Sequence, residues 1–119
     1  MLQYGLKEKE CQMLLDMFAA NRHIEQVVLF GSRAMGNYKP FSDVDITLIG
    51  KELSHDDLIR LYTDVNESLL PYKFDISIFC KINNKDLIDH INRRGKVIYR
   101  RENDCVADDD RLSPDIKDD

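Results

Sequence analysis

Two stretches of the sequence, residues 43–49 and 73–79, alternate polar and apolar side chains with a period of two, and a helical pattern separates them. In the first, Asp43, Asp45 and Thr47 point one way and Val44, Ile46 and Leu48 the other. In the second, Asp75 and Ser77 oppose Phe74, Ile76 and Ile78. Strands of this kind bury one face and leave the other polar, so the chain must form a sheet with helices packed against it.

The remaining segments fit that plan. Cys11, Leu14, Leu15 and Phe18 recur at helical spacing between residues 7 and 21, which predicts an amphipathic helix resting on the sheet. Residues 25–30 are short, β-branched and stopped by Gly31, as expected of a buried strand. Ser32 is placed to cap a short helix through Arg33, Ala34 and Met35, broken by Gly36, Asn37 and Pro40. Ser54 and Asp57 predict a capping box opening a helix whose buried face carries Leu58, Leu61, Tyr62, Val65 and Leu69, with Pro71 closing it. A last helix over 84–94 ends at Gly95, and residues 96–99 add a short strand. The order helix, strand, short helix, strand, helix, strand, helix, strand predicts an α/β (α+β) domain with a small mixed sheet flanked by helices.

With 119 residues the chain has apolar surface for one core. That core is expected within residues 1–103. From residue 104 to 119 the sequence turns acidic and apolar-poor, so a disordered tail is expected there. Of the formal charge of −5, residues 108–119 carry −4, which leaves a near-neutral body and argues against a dedicated nucleic-acid binder. Arg93, Arg94, Lys96, Arg100 and Arg101 form a local basic cluster, of a kind that commonly complements a helix C-terminus. No apolar run is long enough to span a membrane, and the start lacks the pattern of a secretory signal, so a cytoplasmic location is expected. Cys11, Cys80 and Cys105 are far apart, as are His23, His55 and His90, and neither set has the spacing of a metal site.

The chemistry gathers on the polar faces of the two strands. Asp43 and Asp45, two residues apart, lie side by side and repel each other unless a cation neutralises them. Magnesium suits such a pair, because it takes hard oxygen ligands from one or two carboxylates together with phosphates and water. Taken alone, an Asp-x-Asp is more often a solvated strand end than a metal site. Asp75 on the later strand offers a third carboxylate, and Gly31-Ser32 ends a strand where backbone N–H groups and a hydroxyl can receive a phosphate. Arg33 is open to two roles, a phosphate contact or a salt bridge to a neighbouring carboxylate.

Gly31-Ser32, ten intervening residues, Asp43-Val44-Asp45 and a later Asp75 together resemble the DNA polymerase beta-like nucleotidyltransferase superfamily. Within it, the Gly-Ser-Arg-Ala form and the small size resemble the minimal nucleotidyltransferases, which are often paired with a helical HEPN-type protein in a toxin–antitoxin arrangement. The resemblance implies a polymerase beta-like fold and the transfer of a nucleoside monophosphate, AMP from ATP, to an acceptor hydroxyl. It implies two magnesium ions held by Asp43, Asp45 and Asp75, the last on the acceptor side. Gly31, Ser32, Arg33 and Ser42 are the implied nucleotide-binding residues. The family often has arginine where this chain has Met35. A partner protein of the HEPN type is implied, with nucleic acid only as an acceptor or through that partner. The alternative function is an antitoxin-like binding subunit with little or no catalysis.

Overall fold

Residues 4–101 are those described by the structure, a computed structural model; the acidic stretch 104–119 lies outside the described residues. Helix α1 (Glu8–Ala20) forms where Cys11, Leu14 and Phe18 make one buried stripe, and the Lys7 N–H donates to the Glu10 carboxylate at 2.9 Å to close its first turn. Strand β1 (Gln26–Phe30) follows, then a single helical turn, α2 (Ser32–Met35). Gly31, not Ser32, takes the cap position of that turn, at a φ of 77° that favours glycine.

Strand β2 (Val44–Ile49) runs antiparallel to β1. Helix α3 (His55–Glu67) opens on the expected capping box, the Ser54 N–H donating to Asp57 at 2.9 Å, and carries the chain across to β3 (Phe74–Ile78), parallel to β2. Such a parallel neighbour requires a crossover of this length. Leu69, expected on the buried face of α3, is exposed instead. The helix ends at Glu67, and Leu69 adopts a φ of 63°, outside the helical repeat that would have buried it. A short 3-10 turn (Phe79–Lys81), helix α4 (Lys85–Arg94) and strand β4 (Lys96–Arg100) complete the fold. Strand β4 pairs antiparallel with β1, so the sheet order is β3-β2-β1-β4.

The two faces of this mixed sheet are covered unequally. Val27, Leu29, Val44, Ile46, Leu48, Phe74, Ile76 and Ile78 belong to the main core, packed with Leu14 and Phe18 of α1 and Leu61 and Val65 of α3. On the other face a smaller cluster joins Val28 and Phe30 to Ile91 of α4, with Ile49, Phe79, Ile82 and Leu87 around it. The carboxylates of β2 and β3 stand on this second face. Among the described residues no helix is long and apolar enough to cross a membrane.

Candidate active site

Register decides which side chains meet. Phe30 pairs with Asp45 across β1 and β2, and Asp45 pairs with Asp75 across β2 and β3, so the three form one row. Thr47 and Ser77 form the next, with the Thr47 hydroxyl donating to the Ser77 carbonyl at 3.4 Å. Asp43 precedes the first residue of β2 and, like Asp75, is exposed. Burial, then Asp75, then Asp43 push the Asp45 carboxyl above its ordinary range, and His90 acts weakly in the opposite direction. Asp45 thus feels the charge of both other acids.

Gly31 comes under this row. A Cβ at position 31 would collide with the Asp45 carboxylate, and the backbone there is left-handed, so glycine is required twice over. The Gly31 N–H donates to His90 Nε2 at 3.2 Å, and the His90 ring meets Phe30 edge-on with centroids 6.2 Å apart. His90 is thus part of the site, although the scattered histidines suggested no role. Its position one residue before Ile91 and three after Leu87 places it on the inward stripe of α4, a helical-spacing signal that was readable in the sequence.

A row of carboxylates beside a glycine at a strand end is compatible with several phosphate chemistries; the family comparison narrows it. The family described as Polymerase beta, Nucleotidyltransferase matches residues 12–104, most of the chain. The chain belongs to this family. As a polymerase beta-type nucleotidyltransferase domain it shares its fold with solved toxin–antitoxin proteins. A toxin–antitoxin crystal structure with AMP-PNP aligns with a TM-score of 0.63 at 19% identity, over 79% of this chain and 76% of that one. An MntA-HepT toxin–antitoxin structure aligns at 0.59 and 15%, over 80% and 74%. The MNT antitoxin complex with a tri-AMPylated HEPN toxin from Shewanella oneidensis aligns at 0.57 and 15%, over 76% and 70%. No curated protein matches the sequence significantly.

Within the nucleotidyltransferase site the remaining expected residues are placed as follows. Ser32 opens α2 half-buried. The Ser42 hydroxyl accepts the Lys39 N–H at 2.7 Å, closing the turn ahead of Asp43. Arg33 does not face the carboxylate row. It is 1% exposed, and its guanidinium donates to the carbonyls of Tyr4, Pro40 and Ser42. Among the described residues no carboxylate makes the salt bridge left open for it, and its guanidinium is taken up by these backbone carbonyls. The basic cluster is also divided, because Arg101 donates to the carbonyls of Ala19, Asn21 and Ile24 at 3.0, 2.7 and 3.1 Å and so closes the C-terminal end of α1.

No three His, Cys, Asp or Glu side chains among the described residues form a ready-made metal cage. The acids nevertheless fit a magnesium ion that keeps water and substrate phosphate as its other ligands. Asp45 and Asp75 are in register and repel each other, and among the described residues no donor is shown bonded to the Asp45 carboxylate.

Proposed function

We propose that this domain moves AMP from ATP onto an acceptor hydroxyl, with a HEPN-type helical protein as its partner, in the cytoplasm. The observation that carries the reading is the Asp45–Asp75 pair in register, with Gly31 bent beneath Asp45. The neighbouring structures with AMP-PNP and with an AMPylated HEPN toxin support the choice of nucleotide and partner.

In the proposed reaction the acceptor oxygen attacks the α-phosphorus, the new O–P bond forms, and the bond to pyrophosphate breaks. Asp75, the exposed member of the pair, takes the acceptor's proton directly or through water. Asp43, Asp45 and Asp75 are the residues that would hold magnesium, two ions by the family resemblance. When bound, the metal supplies positive charge against the triphosphate and lowers the pKa of the acceptor. Gly31 and Ser32 present the phosphate side of the site, with Ser42 behind them as the turn residue that delivers Asp43.

Calorimetric ATP titration with and without magnesium, beside a transfer assay with the copurified partner, tests this directly. Asp45→Asn is expected to weaken magnesium-dependent ATP binding and abolish transfer, whereas Asp75→Asn mainly loses transfer. A wild-type chain with neither magnesium-dependent ATP binding nor transfer in the complex would reject the enzyme reading. The alternative of a non-catalytic antitoxin-like subunit would then stand.

A further inference from the structure

Arg33 is the largest fully buried side chain among the described residues, and none of them forms a salt bridge with it, although the Glu10 carboxylate feels its charge. A buried cation without a direct ion pair is costly unless its hydrogen bonds are complete. Here they nearly are. Nε and Nη2 both donate to the Ser42 carbonyl, at 3.2 and 2.9 Å, Nη2 reaches Pro40 O at 3.3 Å, and Nη1 reaches Tyr4 O at 2.9 Å. The Tyr38 and Tyr72 rings lie 5.3 and 4.9 Å from the guanidinium carbon, a separation at which the aromatic quadrupole attracts the charge. The Tyr72 hydroxyl is itself tied to Glu10 of α1 at 2.7 Å.

The segments joined this way all lead into the site. Arg33 directly follows Ser32, Ser42 directly precedes Asp43, and Tyr72 lies three residues before Asp75. The stretch from Gly36 to Asp43 has no regular secondary structure to hold it, so two of its carbonyls depend on this one guanidinium.

We infer that Arg33 is a positioning residue whose clamp on the Ser42 carbonyl and the Tyr72 ring sets the relative placement of Asp43, Asp45 and Asp75. The inference rests on the metal-binding role proposed for those acids. It accounts for an arginine beside Gly31-Ser32 whose guanidinium is buried against backbone carbonyls. Lysine cannot replace it, because an ammonium lacks the planar fork that donates twice to one carbonyl while lying flat against a ring.

The test is a magnesium chloride titration of the full chain followed by backbone amide NMR, with folding checked by circular dichroism. Groups that orient metal ligands from behind typically change affinity by about 10–100-fold when altered. Folded Arg33→Lys is therefore expected to need about tenfold more magnesium for half-saturation. A destabilised chain without a positioning defect would keep the wild-type affinity in its folded fraction, and that result would overturn the inference. Should Arg33→Lys fail to fold, Tyr38→Leu bares one face of the guanidinium while leaving its hydrogen bonds, and unchanged affinity there would overturn it equally. A wild-type chain that does not respond to magnesium would sink the metal reading instead. Metal-free spectra still decide the clamp in that case. Arg33→Lys, or Tyr38→Leu in its place, should shift the Asp45 and Asp75 amides, and changes confined to Tyr4 and residues 36–42 would refute it.

Discussion

At one end of the sheet Asp57 opens α3, and at the other Asp45 enters β2; both carboxylates are partly or wholly withdrawn from water. Asp57 is surrounded by donors: His23 Nδ1 at 3.0 Å, the Ser54 N–H at 2.9 Å, and Asn21 Nδ2 at 3.2 Å. Burial pushes its pKa up, but these bonds outweigh burial and hold it at about 2. Asp45, half-buried, has two acids for neighbours in place of donors, and burial together with their charge raises its pKa. The donors around Asp57 and the acids around Asp45 set the opposite directions. An acid that fixes a helix is satisfied by the protein itself, whereas an acid meant to bind something else is left unsatisfied, at a cost in stability.

The most severe way to break this comparison is Asp45→Asn. Transfer is expected to fall on the order of a thousandfold, about 4 kcal/mol of barrier. The melting temperature at pH 7 should nonetheless rise by roughly 2–5 °C as the repulsion is relieved. Paired activity assays and calorimetry check both signs, and a variant that melts lower than wild type would mean that Asp45 is a structural acid like Asp57.

Asp57→Asn should do the reverse, costing about 2 kcal/mol or roughly 10 °C while leaving transfer at 20 °C intact. Because the folded pKa of about 2 lies below the unfolded value, the stabilisation is full above about pH 4 and disappears as pH falls through 2. Chemical denaturation of wild type and variant from pH 7 to pH 2 should therefore converge at the acid end. A gap that persists to pH 2 would assign the loss to packing and not to charge.

The smallest effect is expected at Arg101. Removing its guanidinium with Arg101→Met should cost about 1 kcal/mol, near 5 °C, through the uncovered end of α1, without altering transfer or partner affinity. A loss of partner binding at unchanged melting temperature would return Arg101 to an interaction surface.

Much of this contrast could be read before any coordinates, and the limits are instructive. The Ser54–Asp57 box, the stripe Cys11, Leu14 and Phe18, and the matched polar faces of β2 and β3 are local patterns, so the sequence displays them directly. The pairing of Asp45 with Asp75 was expected as a neighbour relation, and the parallel register supplies the detail. The partners of Arg33 and of His90 were beyond reach for a common reason, even though the spacing along α4 turns His90 inward. A long side chain goes where distant segments open a cavity for it, and Tyr4, Tyr38 and Tyr72 are brought to Arg33 only by folding. His90 likewise meets Gly31 across 59 positions of sequence. Leu69 failed differently, because the helical period was extended past the point where the helix unwinds.

The pairing of β4 with β1 bears on how the protein is made. Residues 96–100 emerge from the ribosome long after residues 26–30, and until they do β1 keeps an open edge of unpaired N–H and C=O groups. The α4 segment that carries His90 leads directly into β4, so the covering of Gly31 also waits for this later part of the domain. A nascent chain stalled before residue 96 would display its carboxylate strands with a sticky flank, making interrupted translation a source of aggregates instead of half-active fragments.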